Sequence, residues 1–270
     1  MTLFFAGAWA ISMTVAATAA ALSAHRAVYD LNLARAEPAS GVAGMSGRLV
    51  FEFRGDSCTG YVVNMRWVNQ VVEEDGTAAV SDLRSSTWEA GDGGAFGFST
   101  TQYMDSGNGE TTRGKAYRPS GGPVAVKLDA PERKTVSFTG DVAFPTEHMR
   151  ALIAAAGAGR RVLQMRLFDG SESGDKVYET TAVIGAAAKP RHQNAAARRA
   201  GELKGLSTWP VTIAYFDAED DRSGEARPVY KFSFDLYENG VSDSLLLDYG
   251  DYALEGRMRQ IEFLPEAECK

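Results

Sequence analysis

The side chains best suited to chemistry are few and scattered. Gly55-Asp56-Ser57 has an order in which a serine can act as a nucleophile when a late Asp-x-x-His supplies its base. That partner is missing here, because the residue three before His192 is Lys189 and the residue three before His148 is Pro145. No Gly-x-Ser-x-Gly elbow occurs either. The triplet is expected to be a turn between two strands. A hydrolase would have to be assembled from Asp56, Ser57 and His148.

Metal and cofactor chemistry finds no better footing. His25, His148 and His192 are far apart, and no two share a helical turn. Asp217, Glu219, Asp220 and Asp221 form an acidic run that could hold calcium loosely, but the ligand order of an EF-hand loop is absent. A solvated hairpin tip is the simpler expectation. No glycine-rich loop follows a strand and opens a helix, so no nucleotide cofactor is indicated. No catalytic, cofactor-binding or metal-ligating residue is expected. Binding or scaffolding is favoured over catalysis.

The two cysteines, Cys58 and Cys269, take their meaning from the N-terminus. Met1 to Ala24 carries no charged residue, and the apolar run Leu3 to Val15 gives way to Ala, Thr and Ser. That is the layout of a secretory leader. Small residues allow a cut after Ala20 or Ala21, so residues 1–21 are expected to be removed and the mature chain to begin near Leu22. The first base is Arg26, so the usual basic start of a leader is missing. An uncleaved anchor is the alternative reading, since the run approaches the roughly 20 residues a spanning helix needs. Its Ala/Thr/Ser half partitions weakly into lipid, and no basic cluster follows. Neither cysteine lies near the leader, which argues against a lipoprotein. In the oxidising compartment beyond the inner membrane an isolated cysteine pair is most simply a disulfide. Two unrelated buried thiols are the alternative, and the penultimate position of Cys269 speaks against it.

About 250 residues then remain, enough for one large β domain or two small ones. The net charge of −7 disfavours nucleic acid or an anionic membrane as the main partner.

Strand patterning dominates what is left. Ala27, Tyr29, Leu31 and Leu33 share one face against Asp30 and Asn32; Leu49, Phe51 and Phe53 alternate with Glu52 and Arg54; Tyr61, Val63, Met65 and Trp67 alternate with Asn64 and Arg66. One wet face per strand favours antiparallel pairing. Tyr230, Phe232, Phe234 and Leu236 lead into Asn239-Gly240, a strong hairpin signal, followed by a strand over Val241 to Leu247. Asp248-Tyr249-Gly250 turns the chain into a last strand near Arg257 to Leu264. About a dozen or more strands follow from these patterns, as expected of a mainly β fold in one large curved sheet or barrel.

One segment has helical spacing. Apolar residues recur at Met149, Leu152, Ile153 and Ala156, which predicts an amphipathic helix from an N-cap at Thr146 to a stop at Gly157. Its Met149, Leu152, Ile153 face should cover one end of the sheet. From Gly185 to Gly205 the chain turns Ala-rich with scattered Lys and Arg, and this is expected to be an exposed, mobile connection.

Longer stretches carry a resemblance. Phe144-Pro145-Thr146-Glu147-His148, Leu167-Phe168-Asp169-Gly170-Ser171, Asp175 to Thr180, Trp209-Pro210-Val211 and Leu236 to Val241 together resemble the EipB-type cell envelope integrity family. His25 to Tyr29, Gly60-Tyr61, Leu247 to Gly250 and the terminal cysteine extend the match over nearly the whole mature chain. The resemblance implies a single periplasmic domain over residues 22–270. Its fold would be a many-stranded antiparallel β-spiral or open curved barrel with one interposed amphipathic helix, similar to lipoprotein carriers. It also implies a disulfide between Cys58 and Cys269, a part in envelope integrity and stress resistance, and no catalytic residues. The expected function is therefore non-enzymatic. A concave sheet would hold a lipid, an acyl chain or a segment of an envelope protein. The alternatives are a surface-acting scaffold for an envelope protein partner and, behind it, an envelope hydrolase.

Overall fold

A computed structural model describes residues 22–105, 107–119, 122–188, 195–218 and 227–266. The leader, His192, Glu219 to Asp221 and Cys269 lie outside them. The first eight strands are β1 (His25–Ala36), β2 (Val42–Asp56), β3 (Gly60–Glu73), β4 (Ala78–Glu89), β5 (Ala95–Met104), β6 (Glu110–Tyr117), β7 (Val124–Ala130) and β8 (Lys134–Phe138). Helix α1 (Pro145–Gly157) leads to β9 (Val162–Leu167) and β10 (Tyr178–Ile184), and short α2 (Ala195–Arg199) to β11 (Thr208–Asp217), β12 (Tyr230–Tyr237), β13 (Ser242–Asp248) and β14 (Tyr252–Phe263).

All of the strands form one antiparallel sheet in the order β8 to β1, then β14 back to β9. The chain walks outward from β1 to one edge, crosses through α1 to the opposite edge, and walks back until β14 pairs with β1. The ladder does not close, so β8 and β9 remain as edges with α1 between them in sequence. A single parallel bridge, Ala143 to Leu167, spans part of that seam. This is the expected open, curled sheet.

The alternation read from sequence sets the two faces. In β1, Ala27, Tyr29 and Leu31 are buried while Arg26 and Asn32 are exposed. In the β12–β13 hairpin Gly240 takes a φ of +87°, and Gly240 N–H donates to the Tyr237 carbonyl at 2.9 Å. Only glycine adopts that conformation without strain.

Apolar side chains collect in two clusters. The larger joins β1, β3 and β10 to β14 with Leu152, Ile153, Ala155 and Ala156 of α1. The smaller stacks Phe96, Phe98, Phe144 and Phe168 under β5 to β7. Within it Phe96 and Phe144 lie 5.3 Å apart in near-parallel planes, and Phe98 meets Phe168 edge-on at 5.6 Å. Such offset and edge contacts add to plain area burial.

Four expectations need correction. The N-cap of α1 is Phe144 rather than Thr146, because Pro145 at the first helical position starts the helix earlier. Gly157 is helical, and the stop is Gly159, whose φ of +71° completes a Schellman turn: Arg160 N–H donates to Ala155 O at 2.9 Å and Gly159 N–H to Ala156 O at 3.0 Å. The last strand begins at Tyr252, and it lies inside the sheet between β1 and β13 rather than at an edge. Finally, the Ala-rich segment is not wholly a solvated loop. Residues 189–194 lie outside the description, but Ala196 and Ala197 of α2 and Leu203 beyond it are buried in the larger cluster.

Among the described residues no helix is long and apolar enough to cross a membrane.

Candidate apolar binding site

The groups considered for hydrolysis are separately committed to the fold. Gly55, at φ +105°, opens the turn between β2 and β3. Asp56 Oδ1 accepts from the Cys58 and Thr59 N–H groups at 2.7 Å each and from the Thr59 hydroxyl at 3.1 Å. These bonds hold Asp56 below its ordinary pKa. Ser57 therefore belongs to an Asx-type turn. His148 is buried in α1, where its Nε2 lies 3.1 Å from Thr180 Oγ1. The Thr180 hydroxyl itself donates to the Met165 carbonyl at 2.9 Å, so His148 Nε2–H is the donor to Thr180. Burial lowers the His148 pKa to about 4, which keeps the ring neutral at pH 7. Among the described residues no three His, Cys, Asp or Glu side chains come together as metal ligands would. Of the acidic run, Asp217 is described and pairs with Lys176 at 3.0 Å.

The inward face carries a different feature. Phe51 and Phe53 of β2, Val63 of β3 and Met149 of α1 line an apolar pocket of about 250 Å³, with Leu22 and His25 beside them. Strand alternation puts Phe51, Phe53 and Val63 on one face. Helical spacing divides the predicted α1 stripe. Leu152 and Ile153 are buried in the core, whereas Met149 is only half-buried and turns to the pocket. Thioether and aromatic linings adapt readily to flexible apolar chains.

The polar groups around the pocket are held in place. His25 donates Nδ1–H to the Ser23 carbonyl at 2.8 Å and packs against Phe51, Phe53 and Phe263, with ring centroids 5.7 to 6.4 Å apart. Burial lowers its pKa, so it too is neutral at pH 7. Phe53 stacks on Tyr61 at 5.6 Å, and the Arg150 guanidinium of α1 lies over that Tyr61 ring, 5.0 Å from its centroid.

A residue that sequence reasoning passed over fixes the helix against this wall. Glu89, at the end of β4, is buried and accepts the Thr146 and Glu147 N–H groups at 2.7 and 3.1 Å. Alternation offers a signal for it: Ser81, Leu83, Ser85 and Thr87 share its inward parity, so Glu89 is a carboxylate on an inward face and needs donors there.

Fold and site together define an open antiparallel sheet curled around an apolar face, with one helix pinned across its seam. The EipB-like family profile matches residues 16–265. Cell envelope integrity protein EipB of Brucella abortus (strain 2308) is 39% identical over 248 residues, which cover 92% of this chain and 86% of that protein. A crystal structure of a β-barrel-like protein, a domain of unknown function from Brucella abortus, superposes with a TM-score of 0.85 at 37% identity, covering 92% of this chain and 100% of that one. The chain belongs to the EipB-like family.

Proposed function

We propose that the chain is a non-enzymatic periplasmic protein that maintains the cell envelope, and that its concave pocket holds one apolar chain such as a lipid acyl tail. The envelope role is supported by the relative named for cell envelope integrity. The periplasmic location is supported by the leader-like residues 1–21. One observation carries the ligand class: a pocket of about 250 Å³ walled by Phe51, Phe53, Val63 and Met149. That is smaller than the roughly 300–1,000 Å³ sites of drug-sized ligands, and suits a narrow flexible chain. Each methylene buried there contributes about 0.8 kcal/mol, so six to eight contribute about 5 to 6 kcal/mol.

Native mass spectrometry of the protein purified from its own periplasm tests the reading. A co-purifying lipid is expected, and it should be lost from Phe51→Asp while the variant remains folded. Clean apo protein that also takes up no added fatty acid would overturn the carrier reading in favour of a surface-acting scaffold.

A further inference from the structure

The outer edge of β9 is where the sheet stops. Ile184 N–H donates to Arg161 O at 2.9 Å, and the antiparallel register runs on from Val162 opposite Val183 to Leu167 opposite Tyr178. Alternation then turns the backbone groups of residues 161, 163, 165 and 167 toward β10, and those of Val162, Gln164, Arg166 and Phe168 away from it. The far end of this outward row is in use. Ala143 N–H donates to Arg166 O at 2.8 Å, and Phe168 N–H donates to Ala143 O at 2.9 Å. Gly140, at φ +78°, turns the preceding chain, and no further bridge to β9 forms among the described residues. A cleft of about 1350 Å³ opens there, with residues 139–143 on one side and Gln164, Met165 and Arg166 on the other. The outward N–H and C=O of Val162 and Gln164 have no partner among the described residues.

We infer that this edge of β9 is a docking site for an extended segment of another protein, which adds to the sheet as one further strand. Backbone groups give such a contact its affinity and alternate side chains its specificity. Free edges are commonly blunted by charge or proline. This one is not blunted at its centre, where residues 162–165 read Val-Leu-Gln-Met. Next to the free groups, Val162 and Val183 face each other across the ladder and are 54% and 56% exposed. An added strand would cover that apolar pair with a β-branched or aromatic side chain. Residues 162–165 offer about 13 Å of edge, the length of a short strand.

Charge narrows the occupant. Arg160 and Arg161 are exposed immediately before the edge, and Arg166 ends it. A second copy of this chain would lay one basic edge against another, which repels. The favoured partner is a segment with alternating apolar residues and a carboxylate near the end that meets Arg160 and Arg161, since the Arg166 guanidinium already donates to the Thr139 carbonyl and lies opposite Glu179.

Site-specific photocrosslinking of the full chain in its own cells tests the contact, with p-benzoylphenylalanine at Val162 and the adduct sequenced by mass spectrometry. Gln164→Pro removes only an outward N–H that the β9–β10 ladder does not use, so the ladder survives. Gln164→Ala changes the side chain and keeps the backbone. One adduct, mapped to a single short segment of one envelope protein, is expected. It should fall about tenfold in Gln164→Pro, corresponding to about 1.4 kcal/mol of lost affinity, and persist in Gln164→Ala, with both variants melting like the parent. If Gln164→Pro melts early, Val162→Pro with the photoreactive residue at Val183 replaces it and is read the same way. The inference is overturned by an adduct that survives the proline, by equal loss in the alanine variant, by an adduct within this chain or a second copy, or by none.

Discussion

Glu89 closes the N-terminus of α1 from across the fold, its Oε2 accepting the Thr146 N–H at 2.7 Å while Oε1 takes the Glu147 N–H at 3.1 Å. A helix leaves its first four N–H groups without internal partners. Here Pro145 has none to satisfy and Glu89 serves the next two, and the internal ladder begins with His148 N–H donating to Phe144 O at 2.9 Å. One buried carboxylate on β4 thus serves both N–H groups that follow Pro145 in the first turn.

Truncating that side chain should therefore loosen α1 and the Pro145–Thr146 rim of the pocket together. Glu89→Ala is expected to cost about 2 to 3 kcal/mol, the range for a buried charge-assisted cap left unmade, and Glu89→Gln less, since one acceptor oxygen survives. Urea unfolding gives the total, and amide exchange at Thr146 and Glu147 localises it. A Glu89→Ala variant as stable as the parent would show that the cap is idle.

His148 gives the fold an acid-sensitive component. Its folded pKa of about 4 lies below the unfolded value of about 6.5. Between those values the unfolded chain binds more protons than the native one, so stability rises with pH through this window. The contribution is complete above pH 6.5 and is lost as pH falls toward 4. Its full size is on the order of 3 kcal/mol. Urea titrations at pH 7 and pH 4.5 should show a larger acid loss for the parent than for His148→Gln, whose amide can still donate to Thr180. Parallel pH profiles would remove His148 from the account.

How much of this was legible in the sequence depended on whether a signal was local. Alternation in β1, β3 and β12 and the Asn239-Gly240 turn gave the strands and faces, because strand period and turn chemistry are short-range. The α1 stripe is equally local, but the ends of the helix are not. Thr146 has the right type for a cap, but Pro145 and Glu89 took that role by position and by a contact 57 residues away. The seam between β8 and β9 and the interior placement of β14 are properties of strand order, which periodicity does not encode. The meeting of Phe51, Phe53 and Met149 at one pocket joins a strand pair to a helix about 100 residues on, and no local pattern marks it. Buried alanines in α2 were hidden by the basic residues around them.

The smaller cluster depends on a glycine for its fit. Gly170 has a φ of +70°, and a Cβ there would come within 2.4 Å of the Phe98 ring. Gly170→Ala combines left-handed strain of about 1 to 2 kcal/mol with overpacking of about 1 to 3 kcal/mol, so a loss of about 3 kcal/mol is expected. Thermal melting checks it. A melting temperature within error of the parent would mean that the Leu167 to Ser171 segment shifts freely.

The proposed Cys58–Cys269 disulfide would act at one end of the sheet. Cys58 sits exposed in the β2–β3 turn, and Cys269 lies outside the described residues. Phe53 and Phe263 both face His25, one from each side, and their strands run in the same direction. Along the chain Cys58 follows Phe53, and Cys269 follows Phe263. The bridge would close a loop of about 210 residues, worth roughly 5 kcal/mol in the chain-entropy account, with engineered cases often giving less. Because β14 is held by β1 on one side and β13 on the other, reduction should not peel it from the sheet. It should release only the tail beyond Phe263. Cys58→Ser, or reduction, is expected to lower the melting temperature by several degrees and to let protease trim the chain after Leu264 while the rest stays resistant. Thiol titration of unfolded protein from an oxidising periplasm should find no free cysteine. Two reactive thiols in that titration, or melting that ignores reductant, would overturn the proposed bridge.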